Sequence, residues 1–112
     1  IVTAEYNRSI PGVLKNALDH ASRPYGQNAW AGKPVGIVGC SIGAIGTAVA
    51  QSHLRTVVAY LDMPLLHQPE VYLHAKEGFF DEAGNVASPE TRKFLHAWMD
   101  KYATWVKRVT QG

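Results

Sequence analysis

The run Val35-Gly36-Ile37-Val38-Gly39-Cys40, continuing directly into Ser41-Ile42-Gly43-Ala44-Ile45-Gly46, constrains this chain more than any other feature. Its first half is apolar without alternation, which is the pattern of a strand covered on both faces, as in a parallel sheet packed between helices. Its second half is a glycine-rich turn. The residues that follow it repeat at helical spacing, with Ile45, Ala48, Val49, Val57, Val58 and Leu61 predicted to form an inward stripe of a helix reaching to about residue 60. Strand, turn and helix in that order imply an α/β fold, because parallel strands need a crossover element to connect them. The 112 residues are one domain's worth, and 46% hydrophobic with 18% charged residues is enough apolar material for a single core.

The flanking segments fit the same class. Ile1 and Val2 read as the end of another strand, followed by a polar loop over residues 4 to 9. Pro11 and Gly12 open a helix with Val13, Leu14, Ala17, Leu18 and Ala21 on one face, Ser9 placed to cap it and Arg23-Pro24-Tyr25-Gly26 ending it. A last short strand is expected near residues 62 to 71, confined to an edge because Pro64 and Pro69 lack a backbone donor. Asp81 to Asn85 is a surface turn. Ser88-Pro89-Glu90 then gives an N-cap, a first-turn proline and an acid at the positive end of a long final helix. Its apolar set, Phe94, Leu95, Trp98, Met99, Tyr102, Trp105, Val106 and Val109, is predicted to cover one sheet face.

Charge and cysteine content exclude several classes of function. Eleven basic and nine acidic side chains leave a formal charge of +2, too little for the cationic face that nucleic-acid or anionic-membrane partners need. The single cysteine, Cys40, cannot close an intrachain disulfide, so a reducing compartment is expected, by default the cytoplasm. No run approaches the ~18 apolar residues of a membrane span. The histidines at 20, 53, 67, 74 and 96 show no metal-ligand spacing, so no metal site is expected. The chain begins without methionine, Met63 being the first, as expected of a processed product or a piece of a longer protein.

Two constellations carry chemistry. Ser41-x-Gly43-x-x-Gly46 stands at the carboxyl end of a buried strand, where open α/β sheets bind ligands and where a helix N-terminus presents unpaired N–H groups. Glycines there admit a planar or anionic group close to the backbone, although they also permit tight helix packing. The same turn reads Gly39-Cys40-Ser41-Ile42-Gly43, the pattern of a serine nucleophile elbow, with Asp62 and His67 or His74 following in triad order. The chain is too short for the additional strands and oxyanion loop of such a hydrolase. As a dinucleotide fingerprint the turn is weak, since Ser41 replaces the first glycine. The second constellation, Glu5-Tyr6-Asn7, follows the first strand end and faces the same rim, but on its own reads equally as a capped turn. Arg8 and Arg55 are expected on the solvated surface, Arg8 beside the candidate site and within reach of an anionic substrate.

Taken together, the segment Thr3-Ala4-Glu5-Tyr6-Asn7-Arg8-Ser9-Ile10-Pro11-Gly12-Val13-Leu14-Lys15-Asn16-Ala17-Leu18-Asp19, the turn Ser41 to Gly46 and Gln51-Ser52-His53-Leu54-Arg55 resemble the NADPH-dependent FMN reductase family, particularly its quinone and chromate reductases. The resemblance runs to the final helix. It implies a flavodoxin-like parallel sheet with flanking helices and with FMN at its carboxyl edge, where Glu5, Tyr6, Asn7, Ser41, Gly43 and Gly46 are the cofactor-binding positions and Arg8 the substrate-binding one. It also implies NADPH or NADH as donor, and quinones, flavins, azo compounds or chromate as acceptors. No catalytic side chain is required, since the cofactor carries the redox chemistry. Family members are commonly homodimers or homotetramers. Ala4 replaces the family's usual proline, and His20 a common tryptophan. The family's phosphate-binding loop has no counterpart here, so residues 1–112 are expected to be a single partial domain lacking its first two strand-helix units, the carboxyl-terminal portion. The missing part is expected to be a companion amino-terminal fragment, a disordered stretch, or simply absent. A non-catalytic flavodoxin-like module is the remaining alternative.

Overall fold

Residues 35 to 41 form the middle of the sheet because they carry little that needs water on either face. The computed structural model describes residues 1–112, with strands β1 (Val2–Thr3), β2 (Val38–Ser41) and β3 (Tyr72–His74) and helices α1 (Gly12–Ala21), α2 (Ala48–Tyr60) and α3 (Pro89–Gln111). The three strands lie in the order β1-β2-β3 and all pairings are parallel. Thr3 is opposite Gly39, and Ser41 opposite His74. The apolar core comprises Leu18, Val35, Ile37, Leu54, Val58, Leu61, Met63 and Leu65. No helix is long and apolar enough to cross a membrane.

Both ladders differ from the expected ranges for one reason. The strand expected over residues 35 to 40 pairs fully only from Val38 to Ser41, and the strand expected near 62 to 71 is Tyr72–His74. What remains of the earlier register is a single parallel bridge between Val35 and Leu65, with Val35 N–H on the Pro64 carbonyl at 2.9 Å. Pro69 cannot donate to a ladder, so continuous pairing resumes only after it.

Helix α2 also starts later than expected, at Ala48 rather than Ser41. Gly46 (φ 61°) and Thr47 (φ 75°) are left-handed, a conformation that cannot belong to a right-handed helix. Of the expected stripe, Val58 and Leu61 lie in the core, where Ala50, Gln51 and Leu54 join them, while Ile45, now in the turn, is exposed. In α1 the N-cap is Pro11, with no side-chain cap. Ser9, expected in that role, instead hydrogen-bonds His53 Nδ1 at 2.9 Å.

The final helix begins as expected, with Ser88 Oγ accepting from Thr91 N–H at 3.2 Å. Its indoles attach it to the loops below the sheet: Trp98 Nε1–H donates to the Pro69 carbonyl (3.1 Å) and Trp105 Nε1–H to that of Pro64 (3.0 Å). Trp98 is buried and stacks on Tyr102, whereas Phe94 and Met99 of the same stripe face solvent. Gly36 is what lets the indole lie on the chain, since a Cβ there would stand 2.8 Å from two ring carbons.

Gly39 is still more constrained, because a Cβ would fall 1.7 Å from Thr47 Oγ1 and 2.6 Å from Gln51 Nε2, both buried. At exposed Gly43 an added Cβ would meet Ser41 Oγ at an ordinary 3.7 Å. Gly39→Ala is therefore expected to cost about 2–3 kcal/mol or more, and Gly43→Ala to stay within about 0.5 kcal/mol. Urea midpoints of the two variants check this.

Candidate functional site

Because β1 and β2 are parallel and in register, the segments that follow them leave the same, carboxyl edge of the sheet side by side, about 4.8 Å apart at the last paired residues. The first, residues 4 to 9, doubles back in two residues. Tyr6 and Ser9 exchange both backbone hydrogen bonds (2.9 and 3.0 Å), with Asn7 (φ 50°) and Arg8 (φ 65°) both left-handed between them. Asparagine tolerates that geometry; arginine does so at a cost. The Tyr6 ring is left largely exposed, as are Asn7 and Arg8.

Glu5 does not share this exposure. Its carboxylate is almost wholly buried, with Oε1 accepting from Ala50 N–H at 2.7 Å and Oε2 facing Arg8 Nη1 at 3.4 Å. Ala50 is the third residue of α2, whose own N-cap, Thr47, makes no side-chain cap. A carboxylate from a neighbouring loop thus occupies the place of the missing cap, where both the unpaired N–H and the helix dipole favour an anion. The Ser9–His53 hydrogen bond links the same loop to the same helix a turn further on.

The second segment, residues 42 to 47, is held by Ser41 Oγ accepting from Gly43 N–H (3.1 Å) and by Gly46 N–H on the Gly43 carbonyl (3.2 Å). The N–H groups of Ile42, Ala44 and Ile45 have no partner within the chain. Gly43 is exposed, with only Ser41 Oγ, at 3.7 Å, near the place of an added Cβ, and Ile42 beside it is 88% exposed. Gly46 points the other way: a Cβ would lie 3.0 Å from the Tyr72 carbonyl carbon, so this glycine seats the turn on β3. The structure therefore brings Tyr6, Asn7, Arg8, Ser41 and Gly43 to one rim and places Glu5 and Gly46 behind it. Clefts in the surface lie elsewhere, between α1 and α2 and between α2 and α3. The rim is an open shelf.

Sequence reasoning missed three participants. Thr47 and Gln51, fully buried, join the turn to the sheet. Arg55, expected to be solvated, donates to Tyr72 Oη (3.1 Å), pairs with Glu70 (3.5 Å) and lies 5.9 Å from the Tyr72 ring centre, while Tyr72 Oη–H donates to Glu70. Burial and the Glu70 hydrogen bond raise the Tyr72 phenol above its usual range, against the lowering effect of Arg55. Burial likewise pushes the Cys40 thiol up. A polar residue at a helical position on an apolar stripe, Gln51, was the available signal for the first pair.

The triad alternative is not assembled. Ser41 Oγ is engaged by Gly43 N–H. Asp62 follows the far end of α2, thirteen helical residues from the turn, a separation of about 20 Å. A flat conjugated ring with carbonyl and amide edges does fit the rim. Unpaired N–H groups would offer it donors, exposed Gly43 would admit close approach, and the exposed Tyr6 ring and Asn7 amide lie on the same edge.

Comparison with known proteins agrees in kind. Residues 1–78 match the family model described as NADPH-dependent FMN reductase. The chain is 64% identical over 107 residues to a 2-hydroxy-1,4-benzoquinone reductase of a Burkholderia species, covering 96% of this chain and 58% of that protein. It is 50% identical over 106 residues to a quinone reductase of Pseudomonas putida, covering 95% and 56%. Among solved structures, the flavoenzyme NAD(P)H:(acceptor) oxidoreductase FerB of Paracoccus denitrificans superposes with a TM-score of 0.87 at 40% identity, over 96% of this chain and 59% of that one. The chain thus spans less than two thirds of the length of these relatives.

If Glu5 joins the two segments, Glu5→Ala leaves Ala50 N–H unpaired and should cost about 1–2 kcal/mol. Glu5→Gln, which keeps an acceptor and loses the charge, should cost less than half as much. Arg8→Ala, removing only the exposed half of the Glu5 pair, should stay within about 0.5 kcal/mol. Denaturant unfolding of the three variants measures all of this.

Proposed function

The chain belongs to the NADPH-dependent FMN reductase family, and from that premise we propose that its carboxyl rim holds the ring of FMN in an NAD(P)H-dependent quinone reductase. The observation that carries this reading is the set of free N–H groups of Ile42, Ala44 and Ile45 around open Gly43, on the same edge as Tyr6 and Asn7. The chemistry FMN supplies when bound is transfer of two electrons from reduced nicotinamide to an acceptor. The residues of this chain bind and orient. Ser41 fixes the direction of the turn through Gly43 N–H, and the neighbouring N–H groups would hold the electronegative edge of the ring and favour negative charge there. Tyr6 and Asn7 border the ring. Glu5 and Gly46 belong to the site through the backbone they hold in place. No acid or base of this chain is needed, because an open shelf lets water supply protons to the acceptor.

The names of the relatives favour a quinone as acceptor. Free flavin, azo compounds and chromate can also approach an uncovered ring, and Arg8, at the tip of its turn, suits an acceptor that carries negative charge. The phosphate side of FMN is assigned to residues beyond this chain, which makes residues 1–112 one partial flavodoxin-like domain that works with an amino-terminal companion stretch. Phe94 and Met99, exposed on α3, offer a homodimer or homotetramer contact. A cytoplasmic location suits a donor such as NADPH.

Absorbance spectroscopy tests the reading. The chain alone should take up FMN weakly and lose it on desalting. A version extended at the amino terminus to the length of the relatives should stay yellow and bleach anaerobically on addition of NADPH, with colour returning when 2-hydroxy-1,4-benzoquinone is added. An extended protein that is colourless and takes up no FMN would overturn the proposal, and stoichiometric FMN on the chain alone would overturn the division of the site.

A further inference from the structure

We infer that Thr47 and Gln51 are positioning residues for the 42–46 turn, holding it against β2 and the chain entering β3 so that its free N–H groups keep their aim. This rests on the reading of that turn as the FMN side of the rim.

Thr47 combines a strained backbone with a buried contact. Thr47 sits at φ 75° and ψ 15°, a region where a β-branched residue is an outlier and which glycine would occupy without cost. Such strain persists only where the surroundings over-determine it. Thr47 is fully buried. Its hydroxyl lies over Gly39, so close that a side chain at Gly39 has no room. Oγ1 accepts from Gln51 Nε2 at 3.0 Å, and the same Nε2 donates to the Val71 carbonyl at 2.8 Å. Gln51 N–H in turn donates to the Thr47 carbonyl at 2.9 Å. One buried amide therefore ties together the end of the turn, the first turn of α2 and the residue before β3.

A glycine at position 47 would satisfy the backbone and lack the hydroxyl. The threonine bears the strain and makes the contact. With Gly46 also left-handed and seated on Tyr72, two consecutive left-handed residues reverse the chain between the rim and α2. Their orientation sets where the Ala44 and Ile45 N–H groups point. Every buried side-chain polar atom is paired, so the cluster leaves no slack through which the turn could rotate without breaking a hydrogen bond inside the protein.

Thr47→Val keeps the branched shape and the strain and replaces the hydroxyl, which accepts from Gln51 Nε2, by a methyl; Thr47→Ser keeps the hydroxyl. Amide exchange and FMN-induced resonance shifts, read by NMR on the protein extended at the amino terminus to the length of its relatives, compare them. In Thr47→Val, exchange of the Gly46 and Ala48 amides should speed up about tenfold or more while that of Leu61 and Met63, at the far end of α2, changes less than about twofold. FMN should bind about tenfold more weakly, and Thr47→Ser should behave as the unmodified chain. Uniform acceleration from residue 43 to 63, no acceleration, or a serine variant resembling the valine one would each overturn the assignment. If FMN shifts no resonance of the unmodified extended protein, the reading of the rim fails and the assignment with it. If FMN shifts them equally with Thr47→Val, only the assignment fails. A measurement independent of any variant's folding is the Gln51 side-chain amide of the unmodified chain. It should exchange about 100-fold more slowly than that of exposed Gln27, and equal rates would overturn the proposal.

Discussion

The carboxylate of Glu5 on the Ala50 N–H fixes the rim. Parallel strands deliver two loops to the same edge, but strand register alone leaves their tips free to move apart. A charged acceptor on a helix N-terminal donor, with little water to compete, is among the stronger single hydrogen bonds a small domain makes, about 1.5–3 kcal/mol. It also acts on both loops at once. The left-handed Asn7-Arg8 turn follows within two residues of Glu5, and the start of α2 is the end of the Gly43–Thr47 segment. Fixing one bond therefore fixes the distance between the Tyr6 ring and the free N–H groups.

The sheet contributes through what it lacks. Gly39 and Gly36 remove side chains on β2 and just before it, and the vacated volume is taken by Thr47 Oγ1 with Gln51 Nε2 at one and by the Trp98 indole at the other. Helices α2 and α3 are thereby brought closer to the chain than ordinary strand side chains would allow. That closeness turns two glycines into packing determinants, whereas Gly43, a few residues on, meets only ordinary contact and is left for whatever binds at the rim.

How much of this was legible in the sequence depended on how local the physics was. The fold class, the order of elements and the Ser88 cap follow from periodicity and from side chains acting on their own helix, and they stand in the structure. The beginning of α2 and the extent of β2 and β3 did not follow. They depend on left-handed φ at Thr47, which nothing in a threonine announces, and on how far a ladder survives around Pro64 and Pro69. The two turns were expected on one edge and lie there, yet Glu5 and Ser9 were read as a rim residue and a local cap. Both instead bond to α2 from more than forty residues away in sequence. Pairings of that kind leave no mark on spacing, and only a polar residue on an apolar helical stripe, as at Gln51, hints that one exists.

On the proposed reading, building the rim from main-chain donors has a consequence for what it can reduce. Backbone N–H groups recognise the edge of a ring and tell nothing about the molecule stacked on its face. Selectivity for the acceptor then rests on the few side chains that project past the shelf, Tyr6, Arg8 and Ile42, all exposed. A shelf of this kind suits acceptors that differ in shape but share the ability to lie flat against a ring, as quinones do.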